Sequence, residues 1–263
     1  RRRLERVVAS RFTPDHKIGD GQQGEVWVGT YDCDLVCAGK TYTKRDSETN
    51  QNFIDQIRRE VAFFRRLDHP YCHFLIGSDI DDQRGAFVLT EFCERGSLFD
   101  AYYRMNLDID LPTALRFACE CARGFGHIHE LGYMHRDIKS LNVFLTVDWV
   151  CQAADFGTCV PTGDVPDCLQ TAGTLQWMAP EIARMLMSAE DRRPYGRACD
   201  IYSFGILLWE IFHSNVPYME TRLIPREVAR KVAYDGSFRP TMDNRRCPPE
   251  VSELMRQCWS HRP

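Results

Sequence analysis

The stretch His135-Arg136-Asp137-Ile138-Lys139-Ser140-Leu141-Asn142, with Asp155-Phe156-Gly157 a short way downstream, gathers an acid, a lysine, an amide and a second acid in one region. Phosphoryl transfer from ATP needs such a set. One carboxylate orients the attacking hydroxyl, and an amide plus a carboxylate hold metal ions on the phosphates. Either segment alone also reads as a polar loop with unrelated charges. An eight-residue match to H-R-D-x-K-x-x-N combined with D-F-G argues against that plainer reading.

Outward from this stretch the chain changes character. Val26 and Val28 alternate with polar neighbours after Gly24, and Leu35 to Thr41 follows, so both read as strands. Phe53, Ile57, Val61 and Phe64 recur at helical spacing, which predicts a helix from about Gln51 to Leu67, ending before Asp68-His69-Pro70. Phe87-Val88-Leu89 is a short apolar run suited to a buried strand. From Pro112 the period is helical. Leu115, Ala118, Ala122, Phe125 and His129 are expected on the buried face, with Pro112 in the first turn and Gly132 at the cap. Ile201, Phe204, Leu208 and Ile211 mark another buried helix. Strands first and helices later predict an α+β chain in two lobes, joined near Glu91 to Ser97.

The motif Gly19-x-Gly21-x-x-Gly24-x-Val26 admits two readings. In dinucleotide-binding folds such glycines open a helix. Here Glu25-Val26-Trp27-Val28-Gly29 continues as a strand, which favours a hairpin whose backbone amides approach phosphates.

The 263 residues suffice for one large core or two smaller ones, and the formal net charge of -4 gives no general attraction to nucleic acid or anionic membrane. No apolar run of about 18 residues predicts a membrane span. The start Arg1-Arg2-Arg3, with Arg6 and Arg11, reads as a solvated lead-in or linker, or else as a membrane or docking patch. Twelve scattered cysteines form no C-x-x-C pair, so neither a disulfide framework nor a zinc site is expected, and a reducing cytoplasm is the simplest setting.

On these motifs the chain resembles the eukaryotic protein kinases over nearly its whole length. Asp200-Ile201-Tyr202-Ser203-Phe204-Gly205 with Leu208-Trp209-Glu210, Pro217-Tyr218 and Cys258-Trp259 is similar to the tyrosine-kinase-like group of Ser/Thr kinases. The resemblance implies a single kinase domain over 1–263, in the two-lobed α+β fold. A small β-rich N-lobe with one key helix spans 12–90, a hinge 91–97, and a larger, mainly helical C-lobe 98–263. It implies a protein serine/threonine kinase that uses ATP and Mg2+, with protein substrates and an upstream activating kinase or autophosphorylation in trans. A catalytically weak kinase-like scaffold is the alternative, and a small-molecule kinase is disfavoured by the full segment from Asp155 to Glu181.

Residue by residue, the resemblance makes Asp137 the group that orients the substrate hydroxyl, and Asn142 and Asp155 the magnesium ligands. Lys139 would meet the γ-phosphate, braced by Thr174 in Gly173-Thr174-Leu175-Gln176-Trp177-Met178-Ala179-Pro180-Glu181. Lys40 would reach the α and β phosphates and pair with Glu60, with Gly39 standing where Ile or Val is usual. Gly19, Gly21 and Gly24 would cradle phosphates. Ile18, Val26, Ala38 and Phe144 would enclose the adenine, with Phe144 replacing the usual Leu. Thr90 matches the gatekeeper, backbone groups of Glu91 and Cys93 would pair with the purine edge, and Ser97 would lie near the ribose. Phe64, Leu75, His135 and Phe156 match a stacked apolar spine, and Asp200 would tie down the catalytic loop. Thr171, or else Thr162, is expected to carry an activating phosphate, unless Asp164 and Asp167 already supply the charge. The ending Cys258-Trp259-Ser260-His261-Arg262-Pro263 departs from C-W-x-x-D-P-x-x-R-P. It reads as a cut before the usual Arg-Pro, or as a four-residue deletion that would make Arg262 the partner of Glu181.

Overall fold

The computed structural model describes residues 3–4, 7–21, 24–43, 49–82, 85–163, 172–188, 190, 193–243 and 245–260. Its contacts divide the chain into two units, Arg1–Glu94 and Arg95–Pro263.

In the first unit β1 (Phe12–Gly21), β2 (Gly24–Tyr31), β3 (Leu35–Tyr42), β4 (Leu75–Asp81) and β5 (Gly85–Thr90) form an antiparallel sheet in the order β1-β2-β3-β5-β4. The β1–β2 hairpin ends on the pair Gly21 and Gly24. Gly24 has φ +139, and a Cβ there would meet the Thr41 carbonyl oxygen at 1.8 Å, so only glycine lets the start of β2 lie against β3. Helix α1 (Asn50–Phe64) starts on Thr49, whose hydroxyl accepts from the Asn52 amide, and buries Ile54, Ile57, Val61, Phe63 and Phe64. It packs on β4 and β5.

Gly39, unusual at the sequence level, has a packing reason. A Cβ there would come within 2.8 Å of the Phe87 ring and 2.9 Å of the Phe12 ring. Those two rings lie 5.4 Å apart and fill the space a branched side chain would occupy. We expect Gly39→Val to destabilise the chain by about 1–3 kcal/mol through overpacking, read as a lower urea midpoint at unchanged slope.

The start of the chain is more than a solvated lead-in. The Leu4 amide donates to the Ile76 carbonyl at 2.9 Å, Val7 is buried against Gly77, and the Arg3 guanidinium donates to the carbonyls of Arg65 and Leu67 just beyond α1. Apolar Leu4 and Val7 make this segment part of the core, together with Phe74, Ile76 and Leu89. Arg1, Arg2 and Arg6 lie outside the described residues.

The second unit contains α2 (Leu98–Tyr103), α3 (Leu111–Glu130), β6 (Tyr133–Met134), β7 (Val143–Leu145), β8 (Cys151–Ala153), β9 (Val160–Pro161), α4 (Pro180–Met187), α5 (Ala198–His213), α6 (Pro225–Tyr234) and α7 (Pro249–Cys258). Two short antiparallel ladders, β6 with β9 and β7 with β8, set the local frame. The loop 135–142 leaves β6 and enters β7, while 154–159 leaves β8 and enters β9. The two ladders therefore bring the H-R-D and D-F-G segments side by side, and the Ala154 amide donates to the Asn142 carbonyl at 2.9 Å.

Expected burial is corrected at positions in two helices. In α3 the buried stripe is Ala114, Phe117, Cys121, Phe125 and Ile128, whereas Leu115 is 39% exposed and Ala122 is exposed. The stripe is rotated by one residue because it seats Phe117 and Ile128, the larger burial. Helix α5 is buried as expected, around nearly its whole circumference, but Ile201, expected inside, is 44% exposed.

Candidate active site

The H-R-D segment is fixed from below by α5. Asp200, fully buried, accepts from the amide of Arg136 on Oδ1 (2.7 Å), and from the amide of His135 (2.7 Å) and the ring of His129 (2.8 Å) on Oδ2. Burial pushes its carboxyl up, yet these bonds and the nearby histidines outweigh that and hold it below the ordinary carboxylate value. The anchoring holds Arg136 at φ +70, a conformation unusual for a side chain of this size. His135 is buried with both ring nitrogens committed. Nδ1 accepts from the Asp137 amide, and Nε2–H donates to the Ala154 carbonyl at 2.9 Å. Its ring stands edge-on to Phe125 and Phe156, so His135 and Phe156 are packing groups in this unit. Phe64 and Leu75 are likewise buried in the first unit.

Asp137 is the hub. Lys139 Nζ donates to Asp137 Oδ2 at 2.6 Å and to Thr174 Oγ1 at 2.6 Å, and the Thr174 hydroxyl donates to Asp137 Oδ1 at 2.8 Å. Asn142 Nδ2 adds donations to Oδ2 (3.0 Å) and to the Asp137 carbonyl (2.8 Å). Three residues, of which only Thr174 is distant in sequence, thus hold one carboxylate in one rotamer. Thr174 reaches it because Gly173 takes φ +105 directly against the Arg136 carbonyl, where a Cβ would come within 2.6 Å.

Glu210 underlies the same loop, a role the sequence did not assign although its Trp-Glu motif was visible. Wholly buried, it accepts from the Ser140 hydroxyl (2.6 Å), the Ser140 amide (3.1 Å) and the Trp177 indole (2.7 Å), joining the catalytic loop to the segment after Thr174. Burial raises its carboxyl to about 7 against the lowering effect of those bonds.

Asp155 opens the D-F-G turn at φ +60 and ψ +76, with an exposed side chain beside buried Phe156. The Arg136 guanidinium donates to the Thr158 carbonyl (2.6 Å) and the Tyr195 hydroxyl (3.4 Å), and Arg197 Nε donates to Thr162 Oγ1 at 3.2 Å. Thr171, Asp164, Asp167 and Arg262 lie outside the described residues.

In the first unit Lys40 pairs in register with Val26 and Val88, and its ammonium lies 4.3 Å from the Tyr42 ring centroid. The Tyr42 hydroxyl donates to Glu60 Oε1 at 2.7 Å. Tyr42 therefore touches both members of the pair the resemblance implies, a part played by a residue that sequence reading passed over. Ala38 is buried, Val26 half-buried and Ile18 45% exposed on neighbouring strands, and Gly19 follows on β1. The Glu91 amide donates to the Phe74 carbonyl at 3.1 Å, and the Cys93 side chain is buried. In the second unit Phe144 is half-buried on β7 and bridges to Ser97. Ser97 itself is 5% exposed. Its hydroxyl donates to Asp100 Oδ2 at 2.7 Å and accepts from the Asp100 amide, and the Ser97 amide donates back to Asp100 Oδ2, a capping box for α2.

The sheet, the paired loops and the Asp137 hub define a protein kinase domain, and comparison with known proteins agrees. A model of the protein tyrosine and serine/threonine kinase family matches residues 12–263, and the chain belongs to that family. Similar proteins include a probable serine/threonine-protein kinase of Arabidopsis thaliana, 30% identical over 96% of this chain and 23% of its own length. Another serine/threonine-protein kinase of that plant is 29% identical over 94% of this chain and 40% of its own. A probable LIM domain-containing serine/threonine-protein kinase of Dictyostelium discoideum is 32% identical over 94% of this chain and 24% of its own. The chain thus spans well under half the length of each.

Proposed function

We propose that the chain transfers the γ-phosphate of ATP to Ser and Thr hydroxyls of protein substrates. The observation that carries this reading is the closed triangle of Asp137, Lys139 and Thr174. Asp137 orients the incoming hydroxyl and takes up its proton, while the ammonium of Lys139 offsets charge on the transferring group. Lys40, positioned through Tyr42 and Glu60, serves the α and β phosphates. The turn of Gly19, Gly21 and Gly24 offers backbone amides to them. In the first unit Ile18, Val26, Ala38 and the backbone groups of Glu91 and Cys93 are assigned to the adenine, and in the second unit Phe144.

Asn142 and Asp155 suit Mg2+, because carbonyl and carboxylate oxygens are hard ligands. Asn142 uses its amide nitrogen on Asp137, which leaves its oxygen for a cation, and the Asp155 carboxylate is exposed. The metal would neutralise charge on the phosphates. A cytoplasmic setting fits the many thiols, and among the described residues no helix is long and apolar enough to cross a membrane.

A second reading, a catalytically weak nucleotide-binding scaffold, is favoured by Gly39 and Phe144, which stand where the family usually has a branched residue and Leu. Incubation with labelled ATP, Mg2+ and a degenerate Ser/Thr/Tyr peptide library separates the two. Transfer above the level of an Asp137→Asn control is expected, and its absence favours the scaffold.

Control is proposed to lie in the segment after Asp155, through an upstream kinase or autophosphorylation in trans. Thr171 or Thr162 is the acceptor; Thr162, exposed and already against Arg197, offers a phosphate a guanidinium partner. Mass spectrometry of active protein should find phosphate on one of them, and the double variant Thr162→Ala, Thr171→Ala should lose most activity. Full activity in the double variant would show that the segment orders without phosphate.

A further inference from the structure

We propose that Cys93 is a modification site: a thiol poised by His73 for oxidation by a hydroperoxide to a sulfenic acid, which blocks nucleotide binding. The oxidation stands on its own geometry, and the block rests on the purine reading given above.

Cys93 Sγ lies 3.6 Å from His73 Nδ1, and the same nitrogen lies 3.8 Å from Glu91 Oε1. The His73 ring packs against Phe64, with centroids 6.2 Å apart, so it is fixed in place within the first unit. A thiol beside an imidazole can pass its proton to the ring, and the carboxylate on the same nitrogen stabilises the imidazolium that forms. The thiolate is the reactive species.

Burial pushes Cys37 up to about 11, and burial likewise raises Cys151 and Cys199. Cys37 has 0% of its surface exposed, whereas Cys93 keeps 8%.

The chemistry balances as follows. The Cys93 thiolate attacks one oxygen of the hydroperoxide, the S–O bond forms and the O–O bond breaks. Sulfur loses two electrons and the peroxide gains them. The departing hydroxide takes the proton from His73 and leaves as water, which restores the neutral ring. The added oxygen is then carried by a residue whose own backbone groups are assigned to the purine edge.

The test treats the whole chain with hydrogen peroxide, traps sulfenic acid with dimedone and reads each cysteine by mass spectrometry. Cys93 should label about tenfold faster than Cys37, as thiolate character dictates. His73→Gln should slow Cys93 by about tenfold and leave Cys37 unchanged. Saturating ATP should protect Cys93. Equal rates at Cys93 and Cys37 in the wild-type chain, a comparison that needs no variant, overturn the proposal, as does indifference to His73→Gln in a folded variant. Fast labelling without ATP protection supports the oxidation site and overturns the purine reading.

Discussion

Lys40→Met and Asp155→Asn are each expected to remove most phosphate transfer while leaving the melting curve unchanged. The proposed function assigns both groups to phosphate charge, and removing one preorganised electrostatic group of this kind typically costs about 2.7–4 kcal/mol of transition-state stabilisation, a loss of roughly 10²–10³ in kcat. The fold has little stake in either. Asp155 is exposed and held at φ +60, a conformation Asn tolerates well, so the turn survives the change. Lys40 gives up only its contact with the Tyr42 ring, worth about 0.5–1 kcal/mol. Steady-state kinetics paired with circular-dichroism melts checks the expectation. Wild-type rates in either variant would remove these residues from the reaction.

Asp200→Ala should act oppositely, on stability first. It orphans three donors, the amides of His135 and Arg136 and the ring of His129, in a fully buried place. Each buried donor left unsatisfied costs roughly 1–3 kcal/mol, so a loss of about 3 kcal/mol or more is expected in urea unfolding. Activity should fall with it, since Arg136 is held at positive φ by the same carboxylate.

The pH dependence has a definite sign. A carboxyl whose folded value lies below its unfolded value stabilises the chain above the unfolded value, here the ordinary 3.8, and that contribution disappears as pH falls through the lower folded value. The wild-type chain should therefore lose stability below about pH 4 with a steeper slope than Asp200→Asn. Parallel slopes would mean that Asp200 is not the ionised anchor its contacts describe.

Much of this site was legible in sequence because its chemistry is local. Asp137, Lys139 and Asn142 fall within one short loop, and the two small ladders that align that loop with Asp155 are formed by the residues flanking each motif. The Thr174 contact spans a longer interval, yet the family motif places it. What was not legible depends on three-dimensional packing. Gly39 looked anomalous until Phe12 and Phe87 were seen to occupy its space.

The buried face of α3 was misjudged because Leu115 outweighs Ala114 in any apolar pattern, while Phe117, Cys121 and Ile128 decide the actual rotation. For α5, burial on nearly every side erases the periodicity that would report a face. The cap that Ser97 gives to α2 through Asp100 is a local pattern that sequence reading passed over. Tyr42 and His73 gave no sequence signal, since their significance lies in contacts with Glu60 and Cys93 made across the fold.

Phosphoamino-acid analysis of the labelled peptide library tests the central claim most directly. On the proposed reading the fixed arrangement of Asp137, Lys139 and Thr174 would hold a short aliphatic hydroxyl against the γ-phosphate, so phosphoserine and phosphothreonine should carry nearly all the label. Predominant phosphotyrosine would contradict that assignment.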